Sequence, residues 1–347
     1  VARCSIDRCG GEHRVTVEAA SAALDAAADA LGEILGIDGR ERLHERARLL
    51  GIAPEGRVSA GGTCRLLAGA DGRFVALNLA RRADTELLAA WMGHEWHGAP
   101  WDAVAAHLAR VDADAAVERA QLLGIPAAAA VAPRAATPAQ VTPGGWRGPR
   151  GTPVVLDCSA LWAGPLCAHL LGERGAVVRK VELAGRPDGA RRGHPEFWRR
   201  LNAGKEELMV ERHELPALLD TADVVVTAAR PRAIAHLGLD LPRRVREDGM
   251  IWISITGYGF AGAWRDRVAF GDDAAVAGGL AVAAGGEDSP VFVGDAPADP
   301  LAGMHAAATA APLLERGVGA FVDVSMRDAI GHALASRRYG SVVKEVA

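Results

Sequence analysis

From Pro153 onward the chain alternates short apolar runs with helix-like ones. PVVLDCS (153–159), AVVRKVEL (176–183), DVVVTAA (223–229) and MIWISITGYG (250–259) are strand-like, rich in Val and Ile. LCAHLLGERG (166–175), residues 214–221 and PRAIAHLGL (231–239) are helix-like and fall between them. Such a βαβ series folds as an α/β domain, a mostly parallel Rossmann-like sheet with helices on both faces. Ligands of such sheets bind outside the carboxyl ends of the strands. The glycine and polar segments after each run are therefore the candidate site. No GxGxxG follows the first run and no GxxxxGK[ST] occurs, so neither a dinucleotide fingerprint nor a P-loop is supported.

The first part of the chain reads differently. Val17, Ala20, Leu24, Ala27, Leu31, Ile34 and Leu35 recur at helical spacing up to Gly36, and a second helix is predicted over 40–50. After Ser59-Ala60-Gly61-Gly62, residues 64–80 (CRLLAGADGRFVALNLA) predict a β-hairpin turning at Ala70-Asp71-Gly72. Helices are expected near 84–92, 101–109 and 114–123, and a short strand in GIPAAAAVAP (124–133). Residues 133–152 are rich in Pro, Gly, Ala and Thr and read as a linker. The expected division is 1–135 (helical segment, glycine loop and smaller α+β domain), 136–152 (linker) and 153–347 (Rossmann-like domain).

The 347 residues are 50% hydrophobic and 24% charged, with net charge −4. This balance gives no reason to expect nucleic acid or an anionic membrane surface as partner. No apolar run approaches the roughly 20 residues of a membrane span. VARCSIDRCGGEHRV has no apolar signal-peptide core, so a cytoplasmic location is the default expectation. Cys4, Cys9, Cys64, Cys158 and Cys167 are odd in number and irregular in spacing, which argues against a disulfide framework. Cys158 and Cys167 lie in apolar contexts and read as core. His94 and His97 in GHEWHG have no third ligand nearby and do not form HExxH, so they read as surface or core histidines and no metal is expected.

Chemistry is concentrated in GDAPADPLAGMH (294–305). Asp299-Pro300 predicts a helix N-cap followed by proline at the first helical position. A carboxylate at the positive end of a helix, flanked by small residues, stays ionised and is a candidate nucleophile toward an activated carbonyl. Capping alone is the plainer reading, and this segment by itself leaves both open.

Taken together, the blocks resemble family III CoA-transferases, which include formyl-CoA and carnitine-CoA transferases and α-methylacyl-CoA racemase. The matching blocks are 154–183 (VVLDCSALWAGPLCAHLLGERGAVVRKVEL), RPDGARRG (186–193), LNAGKEEL (201–208), 222–239, WISITGYGFAG (252–262), VAFGDDAAVAGGL (268–280), 294–311 and GVGAFVDVSMRDA (317–329), in the family's order. The resemblance implies CoA transfer between an acyl-CoA and a carboxylic acid, with no permanently bound cofactor. It assigns Asp299 as the nucleophile that attacks the thioester, with Gly303 as its matching glycine. Ala163-Gly164-Pro165 match a CoA-contacting turn. Trp162 stands beside it where formyl-CoA enzymes carry Gln, which favours a larger or more apolar acyl group than formate or oxalate. Leu183 replaces a common Arg, which shifts the expected phosphate contacts to Arg186, Arg191 or Arg192. Lys205 and Arg230 complete the implied CoA contacts. A racemase or isomerase is the alternative; Phe270 stands at the position of the racemase His and counts against it, with Asp272 and Asp273, one or two residues away, as the candidate substitutes. A non-catalytic acyl-CoA-binding relative is a third reading.

The first 135 residues resemble the family's later part, as if the order were circularly permuted or cut from a tandem duplication. Gly61 and Gly62 then match the glycine loop that closes over the aspartate, with N–H groups for an oxyanion. A plain turn before the hairpin explains them equally well. The family also implies an interlocked homodimer.

Overall fold

The computed structural model describes residues 16–148 and 151–335. Cys4, Cys9 and the reading of the first fifteen residues lie outside them. Among the described residues, ten strands form two sheets. In the smaller, β1 (Cys64–Ala68), β2 (Phe74–Asn78) and β3 (Ala127–Ala129) pair antiparallel. Gly72 makes the β1–β2 turn at φ +77°, as the Ala-Asp-Gly signal predicts. The larger sheet holds β4 (Ala139–Trp146), β5 (Val154–Cys158), β6 (Val177–Leu183), β7 (Glu206–Val210), β8 (Val224–Thr227), β9 (Ile251–Thr256) and β10 (Val318–Ser325). Its order is β4-β10-β9-β8-β5-β6-β7, all parallel except β4. The α/β reading therefore holds.

Two features differ from the expected division. The predicted linker contains β4, which pairs antiparallel with β10 (Val141 opposite Val322, Thr142 opposite Phe321). Its Pro and Gly content suits an edge strand pressed against a helix. Pro143 needs no ladder donor on the open side. A Cβ on Gly144 or Gly145 would come within 2.4 Å of the Val245 or Arg246 carbonyl oxygen. Moreover, the helices Val17–Leu35 and Gly39–Leu50 do not pack with the small sheet. Ala20, Leu24, Ala27, Leu31 and Leu43 join the main core with Leu166, Leu301 and Ala306. The hairpin is also tied down by ion pairs, Arg42–Glu173 at 2.6 Å and Arg200–Glu45 at 3.3 Å. Gly39 makes the two helices' close approach possible, since a Cβ there would lie 1.8 Å from the Ala28 carbonyl oxygen.

Trp252 is core, its Nε1–H donating to Thr227 Oγ1. Asp323 lies on β10 and accepts the Phe260 N–H. Cys167 is fully buried and Cys158 partly so. Among the described residues, no helix is long and apolar enough to cross a membrane.

Candidate active site

Beyond the carboxyl ends of β5 and β6 lies a cavity of about 570 Å³, of the size of a ligand site. Its walls come from four parts of the chain. Arg46 and Leu50 belong to the N-terminal hairpin, and Gly61, Thr63 and Asn78 to the glycine loop and small sheet. Leu161, Trp162, Arg192, His194 and Phe197 follow β5 and β6. Phe270, Gly271, Asp272, Ala296 and Asp299 come from the segments after β9.

The turn before Asp299 is tight. Gly294 has φ +71° and Ala296, unusually for a residue with a Cβ, φ +43°. Leu161, on another wall, is also left-handed at φ +70°. Such conformations persist only where their surroundings fix them, and they cluster at ligand sites. The helix that follows runs Ala298–Arg316 with Pro297 as its cap. Asp299 is thus inside the first turn and does not cap it, which corrects the N-cap reading. Its carboxylate instead accepts the Gly271 N–H at 3.1 Å. Only glycine fits at 271, because a Cβ would lie 2.4 Å from Asp299 Oδ2 and 2.5 Å from the Ala296 carbonyl oxygen.

Two carboxyl groups, Asp299 and Asp272, lie in the cavity wall, and Asp273, adjacent to Asp272 in sequence, is buried. Burial pushes Asp299 up to about 7, with Arg46 pulling down, Asp272 and Asp295 pushing up and the Gly271 N–H pulling down. Burial and then Asp295 raise Asp272 to about 6, against Arg46, the Ala296 N–H and the Ser59 hydroxyl. Burial likewise lifts Asp273 to about 7. Asp273 faces away from the cavity wall and accepts the Asn78 Nδ2–H and the Phe270 N–H, both at 3.0 Å. The helix start therefore does not hold Asp299 firmly ionised, because desolvation outweighs its few tenths to one kcal/mol.

Beneath the wall a buried ionic network fixes the turn after β5. Lys205 Nζ meets Asp157 Oδ2, the Pro165 carbonyl (both 2.8 Å) and Asn202 Oδ1. Lys180 pairs with Asp188 at 2.9 Å and donates to the Ser159 carbonyl. Asp188 in turn accepts the Leu161 N–H at 3.0 Å.

Asp299, Gly61, Trp162, Arg192, Phe270 and Asp272 thus share one cavity, but other sequence candidates do not. Lys205 is engaged in the buried network, so the phosphate role read for it is replaced by a structural one. Arg191 is occupied by Glu182 and Glu207 and stacks on Trp198. Arg186 is exposed away from the cavity. Arg230 donates to the Asp266 carbonyl. The Gly62 N–H is used in a turn to the Ser59 carbonyl, not free for an oxyanion. The helix Ala163–Glu173 begins at Ala163, and Ala163, Gly164 and Pro165 are buried behind the wall. There the glycines permit close packing. A Cβ on Gly164 would meet Ser159 Oγ at 2.2 Å, and one on Gly303 the Ala163 carbonyl oxygen at 2.5 Å. His94 is exposed and contacts its own neighbour's carbonyl.

The sequence reading missed Arg46, Gly271 and Asp295. Arg46 donates from Nε (2.7 Å) and Nη2 (2.5 Å) to the two oxygens of Asp295, and its guanidinium lies 4.7 Å from the Trp162 ring centre. In ERLHERARLL it is one charge among many. The only signal for Asp295 was its spacing of four from Asp299.

Residues 153–342 match the profile of CoA-transferase family III over more than half of the chain. The chain belongs to CoA-transferase family III. It is similar to succinyl-CoA–D-citramalate CoA-transferase of Chloroflexus aurantiacus (27% identity over 195 residues, 51% of this chain and 48% of that one). It also resembles succinyl-CoA:glutarate CoA-transferase of Mus musculus (31%, covering 50% and 44%) and formyl-CoA:oxalate CoA-transferase of Escherichia coli (31%, covering 51% and 47%). This family III chain spans about half the length of the curated relatives it matches. The N-terminal hairpin with Arg46, and the small sheet, lie outside the family match.

Proposed function

We propose that the chain transfers CoA from an acyl-CoA donor to a carboxylic acid through a covalent intermediate on Asp299. The observation that carries this reading is the half-buried Asp299 carboxylate in the wall of the cavity, aimed by the Gly271 N–H. Asp299 attacks the thioester carbonyl, and CoA thiolate leaves to give a mixed anhydride. The thiolate then attacks the aspartyl carbonyl and expels the donor acid, leaving an aspartyl-CoA thioester. The acceptor carboxylate attacks that thioester and displaces thiolate. The thiolate takes the acceptor's acyl group and Asp299 is restored. No proton is gained or lost over the cycle.

The nucleophile must be anionic, and the surroundings serve that need only in part, through Arg46 and the Gly271 N–H. Apolar Leu50, Ile52, Leu161, Trp162, Phe197 and Phe270 keep water from the anhydride. They also suit an acyl group larger than formyl. Gly61 lines the same cavity, and in this reading its N–H meets the acyl oxygen. The relatives' named donors and acceptors, succinyl-CoA, glutarate and oxalate, are the first to try. Transfer is to be followed chromatographically for succinyl-CoA, glutaryl-CoA, benzoyl-CoA and octanoyl-CoA, each with a panel of mono- and dicarboxylic acids. Asp299→Asn is expected to lose at least about a thousandfold in kcat, as loss of a covalent nucleophile does. Full activity in that variant contradicts the reading.

One observation favours a second reading. Asp272 shares the cavity with Asp299 and is itself raised to about 6, so two acid–base groups face one space. An acyl-CoA racemase or isomerase needs such a pair. Exchange of the substrate's α-hydrogen with deuterated solvent, without transfer, would mark it.

A further inference from the structure

Arg46 reaches the site from a helix that the family match does not include. The helix Gly39–Leu50 is anchored in the turn just before Arg46, by Arg42–Glu173 and Glu45–Arg200. Asp295, with a side chain only 1% exposed, grips Nε and Nη2 in a two-point pair. The Trp162 ring, 4.7 Å away, and Phe197, 6.0 Å away, back the guanidinium. Nη1 has no acceptor among the described residues, and Arg46 lines the same cavity as Asp299. So rigid a holder for a guanidinium at a cavity wall exceeds what a surface ion pair needs, since exposed pairs contribute little to stability.

We propose that Arg46 is a positioning residue for the reaction: held by Asp295 and Trp162, it lays a fixed positive charge on the cavity wall that favours the anionic, attacking form of the Asp299 carboxylate. The inference rests on the reading of Asp299 as nucleophile. The charged groups acting on Asp299 are Arg46 from the hairpin, Asp272 from the helix Gly271–Ala277 and Asp295 from the preceding turn, together with the Gly271 N–H dipole. Arg81, Arg192 and His194 complete the ionisable lining of the cavity. Asp295 and Arg46 oppose each other in their action on Asp299. The pair therefore acts as a tuner whose two halves pull in opposite directions.

That opposition gives a signed test that needs no turnover. In protein carrying ¹³C-carboxyl aspartate, the Asp299 resonance is identified by its loss in Asp299→Asn and followed against pH. Arg46→Gln is expected to move the Asp299 midpoint up by about one pH unit, the low end of what loss of a nearby opposite charge does. Arg46→Lys is expected to restore most of that displacement, and Asp295→Asn to move the midpoint down. A hairpin that only supports the fold would, once loosened, admit water and lower the midpoint in Arg46→Gln. A midpoint that falls or stays in that variant overturns the proposal. Should Arg46→Gln fail to fold, the comparison is made on the Asp295→Asn background, where removing the second charge of the pair leaves none unpaired. The same upward displacement is expected there, and its absence overturns the proposal equally. Displacements as expected in a protein that never forms an adduct on Asp299 would instead defeat the nucleophile reading and leave the electrostatics standing.

Discussion

Asp299 shows how far a residue's chemistry can be read from its neighbours in the chain. The sequence pointed to a carboxylate that lies in the cavity wall, but misread its place in the helix. Asp-Pro suggested a cap, whereas Pro297 starts the helix and the carboxylate turns to a backbone N–H twenty-eight positions away. Long-range contacts of that kind leave no local signature, and neither does the Arg46–Asp295 pair. Gly271 is the residue that makes the arrangement possible. Gly271→Ala drives a Cβ against Asp299 Oδ2 and the Ala296 carbonyl, and overpacking of this kind costs about 1–3 kcal/mol. The variant is expected to unfold at lower denaturant concentration and to lose most transfer activity. Wild-type values in both assays would show that the contact is not constraining. Asp299→Asn should have the opposite effect on stability. The native carboxyl titrates near 7, against 3.8 when solvated. The folded state therefore holds a proton that the unfolded chain releases, and native stability is lost as pH rises through 4 to 7. Asparagine avoids that loss, so the variant should melt higher than wild type at pH 8 and no higher at pH 4. Thermal scans at the two values check this.

At the scale of elements, the βαβ series after Pro153 was legible because buried parallel strands are continuous apolar runs. The hairpin at 64–78 was legible because Asp-Gly turns are. The strand β4 was not, since glycine and proline there serve close packing at a sheet edge and look like a linker. Gly144→Val should expose this, because its side chain would meet the Val245 carbonyl. Destabilisation is expected, where a true linker would tolerate the change. Lys205 was equally opaque, since only the fold reveals that Asp157 is beneath it. Lys205→Met removes one partner of a buried pair, which typically costs about 3–5 kcal/mol. Urea unfolding should show a loss of that order. A loss within ~0.5 kcal/mol, as for an exposed lysine, would contradict the buried network.

The whole molecule is organised differently from its apparent sequence division. The N-terminal hairpin belongs to the core of the large domain, while the small sheet packs through Leu66, Phe74 and Ala76 onto Val276 and Phe292. The cavity is closed only where the hairpin, the small sheet and the large domain meet, so the family-matched residues alone do not make the site. Asp272 and Asp273 are buried, Asp299 is half-buried in the cavity wall, and all three are raised, to about 6, 7 and 7. Each of these carboxyls contributes stability that is lost as pH rises from about 4 to about 7, whereas His305, lowered by burial to about 3, contributes in the opposite direction. The central claim, that Asp299 carries the reaction covalently, is tested most directly by peptide mass spectrometry after brief exposure to succinyl-CoA, glutaryl-CoA, benzoyl-CoA and octanoyl-CoA, quenched with hydroxylamine. The account predicts a hydroxamate on the peptide containing Asp299 with at least one donor, and none in Asp299→Asn. Transfer activity with no modification at Asp299, or modification at another carboxylate, would contradict it.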